Sequence, residues 1–490
     1  MKHLLRTLAC VASILAIARL ARAADPPAAP FRPSQQTALE EVDRRADELR
    51  AVNKAIWTHA EVGLEERKSS ALLIGKLEAA GFEVEKGVAG MPTAFVASWG
   101  SGRPIVGILA EYDALPGMSQ KVSPVREPVQ DGGNGHACGH SGLGTGALGA
   151  AIAAKVAMEK HGVKGTIRLY GTPAEETLIG KVYMLLDGQF RDLDACLHYH
   201  PSTENGVWGG SSKAMVSAKF TFKGLPAHAS VSPESGKSAL DAVELMNVGA
   251  NFMREHLKED ARVHYVITDG GGAPNVVPEK ATVWYFVRAN AHDDVERSFA
   301  WLQNIAKGAA LMTRTEFSLR IDTDCHELIS SGVLAEALHE NLLKVGPPKF
   351  DAEEHAFARR LQQPLIEEFG RDLPQALHEE VQPLTGSRGL SAGSTDVGDI
   401  SWHVPTCGIR TASMALGSPG HSWQNVASIG SSIGEKGTIY AAKVLAATAL
   451  DLFEKPELLP AAKKDFDQKM EGRKYTTLIP EGQKAPAAIR

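Results

Sequence analysis

Two residues of a short glycine-rich loop, Cys138 and His140, are of types that bind metals or perform nucleophilic chemistry. The loop reads GGNGHACGH over residues 132–140. Because one glycine separates the thiol from the imidazole, both side chains can turn toward one point, as a metal ion requires. The same spacing suits a reactive thiol with a base beside it, either His136 or His140. A connecting loop with an incidental thiol is the third interpretation, and the loop alone does not decide among them.

Further ligand-type residues follow three later apolar segments. Glu175 and Glu176 come after GTIRLYGTPA. Adjacent carboxylates can divide two tasks, since one can bind a metal while its neighbour takes a proton from water. Acidic residues in a first helical turn also simply complement the helix dipole, so the pair alone indicates little. His200 ends the segment LDACLHYH, and His421 lies in GSPGHSW after another apolar run. No structural requirement explains ligand-type residues at all these ends, so we predict that they meet at one site.

The elements that carry these residues alternate between short apolar runs and helical patterns. The runs PIVGILA, GTIRLYG, LDACLHY and TASMALG are typical of buried strands, and the helical pattern over residues 143–158 separates the first two. Such alternation predicts an α/β fold with a mainly parallel sheet. Ligands bind beyond the carboxyl ends of the strands in such sheets, which is where these side chains lie.

The middle of the chain follows a different order. Apolar residues alternate with polar ones over residues 216–222, and a helical pattern covers residues 240–257. Two strand-like runs, a second helix over residues 293–312 and the run TEFSLRID follow. The order β-α-β-β-α-β is that of a ferredoxin-like split βαβ sandwich. We therefore predict an inserted α+β domain over residues 213–325, within a discontinuous catalytic domain of residues 34–212 and 326–460.

The two ends of the chain predict segments outside this fold. Residues 1–23 resemble a secretory signal peptide, because Lys2 and Arg6 precede an apolar run and small residues precede Asp25. Residues 24–33 are expected to form a linker and residues 461–490 an exposed tail. The protein is therefore predicted to be exported, to the periplasm or the medium, with no stable membrane insertion after signal removal. A net charge of -6 without a long basic run argues against a nucleic-acid partner.

Several motifs in order resemble those of a known hydrolase family. They are GHACGHSGLGTGAL, GTPAEE, HYHPS, FKGLPAHASVSPESGKSALDAVELMN, GGGAPNVVPEKATV, GSTDVGDISW and GHSWQ. They resemble the dinuclear-metal aminoacylase and carboxypeptidase family, and more closely its amidohydrolase branch of the aminobenzoyl-glutamate hydrolase type. The similarity covers nearly the whole chain after residue 23.

The resemblance implies roles for particular residues. Two divalent ions, Mn²⁺ or Zn²⁺, would be bound by Cys138, His140, Glu176, His200 and His421. Glu175 would be the general base. His228 and Asn275 of the inserted domain would meet the substrate's carboxylate or developing oxyanion across the interface of a homodimer, with the inserted domain acting as lid and dimerisation domain.

The chain also departs from the wider family. Glu111 stands where carboxypeptidases of the family have a metal-binding histidine, so Asp113 is expected to orient the site. Ser141 and Leu143 stand where many amidohydrolases have aspartate and histidine, which favours the aminobenzoyl-glutamate type over hydrolases of plant-hormone conjugates.

The function expected from these observations is hydrolysis of the amide between an acyl or aroyl group and an amino acid. A thiol amidase using Cys138 is an alternative, but it leaves Glu176, His200 and His421 without a role. A catalytically silent exported protein that binds metal or peptide is another alternative. Such a protein has no need of a carboxylate beside its ligand, and Glu175 is present.

Overall fold

The described part of the chain, residues 30–384 and 393–488 of a computed structural model, contains two β-sheets. From Arg32 onward it forms one compact unit. The predicted signal peptide and most of the predicted linker lie outside the described residues. The strands are β1 (Glu83–Lys86), β2 (Phe95–Ser101), β3 (Ile105–Ala110), β4 (Gly165–Gly171), β5 (Ala195–Ser202), β6 (Gly206–Trp208), β7 (Ala214–Lys223), β8 (Arg262–Asp269), β9 (Lys280–Ala289), β10 (Glu316–Cys325) and β11 (Thr406–Ala412).

Thirteen α-helices accompany these strands in the described residues. They are α1 (Pro33–Arg44), α2 (Ala46–His59), α3 (Arg67–Ala79), α4 (His140–His161), α5 (Gly180–Leu186), α6 (Ala239–Arg254), α7 (His292–Thr313), α8 (Gly332–Val345), α9 (Ala352–Phe369), α10 (Val397–Ser401), α11 (Trp423–Ile429), α12 (Ser432–Glu454) and α13 (Leu458–Met470). Only α4 is long and apolar enough to span a membrane among them, and 89% of its apolar window is buried inside the protein, as in a core helix.

The larger sheet has seven strands in the order β1-β2-β4-β3-β5-β11-β6. The central strands β4, β3, β5 and β11 are parallel, and antiparallel strands flank them on both sides. Helices α4 and α12 pack together on this sheet, and their small apolar residues are fully buried. The predicted α/β class with a mainly parallel sheet is therefore confirmed. The parallel centre brings the carboxyl ends of β3, β4, β5 and β11 to one edge.

The smaller sheet is antiparallel, with the order β10-β7-β9-β8. Its elements follow one another as β7, α6, β8, β9, α7 and β10, the β-α-β-β-α-β order predicted for residues 213–325. One face of this sheet, with Phe220, Val283 and Tyr285 fully buried, packs on α6 and α7. The opposite face carries Trp284, Phe286 and Arg288 of β9, because alternate side chains point to opposite faces of a strand. The mixed α/β fold with a separate α+β insertion is confirmed.

The sequence of residues 346–388 is rich in proline and charged residues and predicts a surface excursion with a helical centre over residues 352–361. The helix α9 is present, but it is longer than the pattern over residues 352–361 predicted. Leu361 and Leu365 of α9 are buried, and Leu361 joins a small separate core with Leu377 and Ile433. The segment therefore builds part of the interior.

Residues 471–488, which follow α13, are held to the rest of the protein by hydrogen bonds and do not form a fully exposed tail. Many of its residues are exposed, but Ile479 is buried. The Tyr475 hydroxyl donates to Asp399 of α10 at 2.9 Å, and Leu478 N donates to Asp324 of β10 at 2.6 Å. Gln483 Nε2 donates to the Ile321 carbonyl of β10 and to the Tyr183 hydroxyl of α5. Residues 471–488 therefore tie the inserted domain to the catalytic domain, because their hydrogen-bond partners come from both.

Candidate metal centre

The predicted ligands occupy four loops or strand ends at the carboxyl edge of the larger sheet. Cys138 lies in the loop before α4, and His140 is the first residue of that helix. Gly139 between them has φ of 87°, in the left-handed region that glycine adopts without a steric penalty. A Cβ there would lie 2.9 Å from both Met414 and Pro201. The glycine therefore allows the thiol and the imidazole to converge in a crowded space.

The other ligand candidates come from the ends of β4, β5 and β11. Glu175 and Glu176 form a single 3₁₀ turn directly after Ala174, and His200 lies within β5. His421 lies between β11 and α11 with φ of 55°, an uncommon conformation for a residue with a side chain. Such conformations cluster at functional sites, where the surrounding structure maintains them.

The structure brings these five side chains into two groups that share one member. The ligand atoms of Cys138, His140 and His200 all lie within 4.8 Å of one another, and so do those of Cys138, Glu176 and His421. Cys138 Sγ lies 3.3 Å from His200 Nε2, and His421 Nε2 lies 3.3 Å from Glu176 Oε2. Two ions bound by these groups would be neighbours, because both groups contain Cys138.

The histidines present the nitrogens that a metal would use. His140 is fully buried, and its Nε2 has no hydrogen-bond partner among the described residues, although such atoms are normally paired. His200 Nδ1 lies 2.6 Å from the Pro201 carbonyl, so it carries the proton and leaves Nε2 as the acceptor. Burial is the largest cause that lowers the pKa of His200 to about 4, which keeps the imidazole neutral, as metal binding requires. A thiolate, imidazoles and a carboxylate suit zinc, and imidazole with carboxylate also admits manganese.

Asp113 connects two of the ligands. Its Oδ1 lies 2.8 Å from His140 Nδ1, while its Oδ2 accepts a hydrogen bond from Glu176 N at 2.9 Å. A carboxylate behind a ligating histidine fixes the ring orientation and makes the free nitrogen more basic. Asp113 therefore has the position of an orienting residue rather than that of a ligand.

Glu175 is placed as a base beside the centre. It is buried, and its Oε2 lies 3.8 Å from His140 Nε2. Burial and then the charge of Glu111 raise the pKa of the Glu175 carboxyl well above its ordinary value. A carboxylate in such surroundings is a stronger base than one in water.

A buried ion triad below the centre was not found from the sequence. Lys181 Nζ lies 2.8 Å from Glu111 Oε1 and 2.6 Å from Asp396 Oδ1, and Lys181 and Asp396 are fully buried. Glu111 Oε2 in turn lies 3.4 Å from His140 Nε2. These residues come from three distant segments, so no local pattern links them.

Arg288 of β9 was also missed. It is half-buried, its Nη1 donates to Ser394 Oγ at 3.3 Å, and its Nε is buried without a partner among the described residues. Burial lowers the pKa of Arg288, against the opposing charges of Cys325 and Glu175. Burial and then the charges of His140 and Arg288 lower the pKa of His421. The charge of a cation of the inserted domain therefore acts on His421 and Glu175 of the centre. The alternation of β9 could have placed it on the outer face of the sheet.

The structure does not bring His228 and Asn275 into the two ligand groups. Both residues are exposed on the inserted domain, and Ala229 N donates to the Asn275 carbonyl at 2.9 Å, so the two loops lie side by side. His228 Nδ1 accepts from Ser230 N and Val231 N at 3.2 Å each. Because Nδ1 accepts these bonds, Nε2 is the ring nitrogen left to donate.

The alternative hypothesis, in which Cys138 is the nucleophile of a thiol amidase, requires an activated thiol. The surroundings of Cys138 do not activate it. Burial and then the charge of Glu176 raise the pKa of the Cys138 thiol above its ordinary value. A reactive cysteine has a lowered pKa instead. His136 Nε2 lies 3.0 Å from the Ile56 carbonyl, and burial lowers the pKa of this ring to about 4.

Comparison with known proteins gives consistent similarities. The pattern of Peptidase family M20/M25/M40 matches residues 107–451. One of the subunits of the p-aminobenzoyl-glutamate hydrolase of Escherichia coli (strain K12) is 41% identical over 448 residues, which are 87% of this chain and 93% of that protein. The solved aminobenzoyl-glutamate utilization protein from Klebsiella pneumoniae has a TM-score of 0.59 at 18% identity, covering 85% of this chain and 98% of that one. The Bacillus subtilis YXEP protein, a dinuclear metal binding peptidase from the M20 family, has a TM-score of 0.53 at 19% identity, covering 84% and 99%.

Proposed function

We propose, from the premise that this chain belongs to peptidase family M20/M25/M40, that it is a metal-dependent amidohydrolase of N-acyl amino acids. The observation that carries the proposal is the pair of ligand groups sharing Cys138, with the buried carboxylate of Glu175 beside them. The name of the E. coli relative describes hydrolysis of p-aminobenzoyl-glutamate, an aroyl group joined to an amino acid.

Two divalent ions, zinc or manganese, would be held by Cys138, His140, Glu176, His200 and His421. When bound, such ions polarise a carbonyl and make water a stronger acid. Glu175 accepts a proton from the attacking water as the water oxygen adds to the amide carbon. It then delivers this proton to the amide nitrogen as the carbon–nitrogen bond breaks. The products are the free carboxylic acid and the free amino acid.

The amino-acid end of the substrate carries a carboxylate, and Arg288 is the cation that suits it. Its Nε is buried without a partner among the described residues, and its charge acts on Glu175 and His421. Charge-assisted hydrogen bonds from arginine to a carboxylate are the strong ones in proteins. His228 and Asn275 would reach the developing oxyanion from the inserted domain of a second copy, since both are exposed.

The assembly and the location are part of the proposal. The protein is exported after cleavage of residues 1–23, and it forms a homodimer through the inserted domain. The mass of the native protein and the N-terminal residue of protein recovered outside the cytoplasm test these two statements.

The experiment that tests the function uses metal-loaded protein and paired substrates. Each pair contains an N-acyl amino acid and the same compound with its carboxylate converted to a primary amide, and release of the free amine is measured. We expect hydrolysis of the carboxylate member, with a kcat/KM roughly 10–150-fold above that of the amide member, since a hydrogen bond to a charged group contributes about 1.5–3 kcal/mol.

Arg288→Gln should remove most of this preference, whereas Arg314→Gln, at the end of α7, is the matched control and should keep it. Absence of hydrolysis of every N-acyl amino acid by protein with two ions bound would overturn the proposed function. Hydrolysis with an unchanged preference in Arg288→Gln would overturn only the role of Arg288.

A further inference from the structure

Two electron-pair donors face each other in the candidate metal centre. Glu111 Oε2 lies 3.4 Å from His140 Nε2. Both atoms are buried, and neither has a hydrogen-bond partner in the part of the chain that the structure describes. His140 Nδ1 lies 2.8 Å from Asp113 Oδ1, so Nδ1 carries the ring proton and Nε2 presents its lone pair to Glu111. Two such lone pairs repel each other unless a proton or a metal ion lies between them.

The separation of these two atoms favours a metal ion. A hydrogen bond would bring nitrogen and oxygen to about 2.7–3.2 Å. For zinc with nitrogen and oxygen ligands at about 2.0–2.2 Å, neighbouring ligand atoms of a tetrahedral site lie about 3.4 Å apart. His421 Nε2 and Glu176 Oε2, two of the candidate ligands, lie 3.3 Å apart. Glu111 therefore meets His140 with the geometry of a second ligand to the same ion.

Lys181 and Asp396 hold the Glu111 carboxylate in this direction. Lys181 Nζ lies 2.8 Å from Glu111 Oε1 and 2.6 Å from Asp396 Oδ1, while the backbone N–H of Lys181 donates to Asp396 Oδ2 at 2.9 Å. One oxygen of Glu111 is thus fixed by the ammonium, and the other is left to face His140. In their ionised forms, two carboxylates and one ammonium leave one negative charge in excess. A buried charge is costly unless it is paired or binds a metal.

We propose that Glu111 is a sixth metal ligand and that it makes the two ions of the centre unequal, an inference that rests on the proposed function because it assumes two bound ions. The ion on His140 Nε2 then has four protein ligands, which are Cys138, His140, His200 and Glu111. The other ion has three, which are Cys138, Glu176 and His421, and it keeps an open position. Four protein ligands are typical of structural zinc sites, and three with an open position are typical of catalytic ones.

The ion on His140 should also be the more tightly bound of the two. His140 and Glu111 are buried, whereas the side chain of His421 is 53% exposed. Asp113 and Lys181 fix the directions of His140 and Glu111, and a rigid set of ligands binds an ion more tightly than a flexible one.

The test measures metal affinity. Protein loaded with Zn²⁺ is titrated with a chelator, and elemental analysis counts the ions retained per subunit. We expect the unaltered protein to release its ions in two steps, one ion in each. Glu111→Gln should lower the affinity for the tighter ion by more than about 100-fold, the upper value for changes to groups that only support a ligand. His421→Ala should remove the weaker ion and leave the tighter one.

The matched control is Glu159→Gln, which also removes a carboxylate paired with a lysine. Glu159 lies near the end of α4, where its Oε2 is 2.6 Å from Lys155 Nζ, and its side chain is 60% exposed. Both release steps should be unchanged in this variant. Urea unfolding of the metal-free variants shows whether each of them folds.

A second variant and a second measurement keep the test valid if Glu111→Gln does not fold. Glu111→Asp keeps a negative charge beside Lys181 but withdraws the carboxylate from His140 by one methylene. With one equivalent of Co²⁺ bound, the visible absorption bands report the number and geometry of the ligands, and these bands should change in Glu111→Asp. The near-ultraviolet charge-transfer band of the Cys138 thiolate should persist, since that ligand is retained.

The outcomes separate the two proposals. If the unaltered protein binds no divalent ion, the proposed function itself is wrong. If it binds two ions that leave in one step, the ions are equal and the present inference is wrong. The inference is also wrong if Glu111→Gln lowers the affinity by no more than about 100-fold, as a merely supporting group would, or if the Co²⁺ bands are the same in Glu111→Asp and in the unaltered protein.

Discussion

His140 Nδ1 lies 2.8 Å from Asp113 Oδ1, and both side chains are fully buried. The second oxygen of Asp113 accepts from the backbone N–H of Glu176 at 2.9 Å. One carboxylate therefore positions two candidate ligands that come from different strand ends. Because each oxygen already has its own donor, an amide in place of this carboxylate can satisfy only one of the two bonds.

Asp113→Asn should therefore weaken metal binding without removing a ligand. Changes to such supporting partners typically cost about 10–100-fold in affinity. A competitive titration with a metal chelator measures the affinity, and Asp131→Asn, an exposed position of the loop before Cys138, is the matched control. An affinity equal to that of the unaltered protein would contradict the orienting role of Asp113.

Cys138→Ala should reduce metal content more than any other single ligand change, because Cys138 belongs to both ligand groups. Elemental analysis of the loaded protein should find about two ions per subunit, in line with two groups of ligands. His421→Ala should lose about one ion, and Cys138→Ala should retain fewer than one. Full activity with saturation at one ion would contradict the two-ion site.

Glu175→Gln should retain both ions, because Glu175 is not one of the five assigned ligands; it belongs to a third group, with Glu111 and His140, which lacks Cys138. Its turnover should fall on the order of 10²–10⁴-fold, the usual contribution of a general base. The comparison variant is Glu176→Gln, in which metal content should fall as well. Near-normal turnover in Glu175→Gln would return this residue to a structural role at the start of a helical turn.

His228→Ala should fold, bind both ions and still dimerise, because the side chain is exposed. Removal of one oxyanion donor typically costs about 10²–10³-fold in turnover. If His228 acts on the site of a second copy, mixing this variant with Glu175→Gln should restore part of the activity through hybrid dimers. Subunit exchange verified by mass without recovered hydrolysis would rule out the action across subunits, and unimpaired turnover would rule out the role itself.

Lys181→Met should destabilise the protein strongly, because it leaves Glu111 and Asp396 as uncompensated buried carboxylates. Breaking a buried ion pair by removing one partner typically costs about 3–5 kcal/mol in the free energy of unfolding. Urea unfolding measures the change. The control is Lys155→Met, which breaks a pair with the exposed Glu159 and should cost less than about 1 kcal/mol. A loss of unfolding free energy as small as the control's would show that Lys181 is not needed to compensate the buried carboxylates of Glu111 and Asp396.

The sequence predicted those parts of the site that depend on local order along the chain. Cys138, Glu176, His200 and His421 each follow an apolar run, and the parallel arrangement of such runs is enough to bring their ends together. The order of elements in residues 213–325 was equally readable, because each strand and helix has its own hydrophobic period.

The parts that could not be predicted depend on how distant segments meet. Lys181 reaches Asp396 from 215 positions away in the sequence, and a lysine in an apolar helix carries no sign of its partner. In the sequence, Arg288 is one arginine near the end of a predicted strand, and nothing there distinguishes it from other arginines. Its position at the centre depends on how the inserted domain packs against the catalytic domain. The hydrophobic periodicity of the sequence does not indicate that packing.

The tie formed by residues 471–488 has a consequence for the timing of synthesis. Its partners Tyr183, Asp324 and Asp399 all precede it in the chain. Translation therefore completes both domains before it makes the segment that joins them, and domains generally fold as units in the order of synthesis. During that interval the two domains are joined without the hydrogen bonds that this segment contributes.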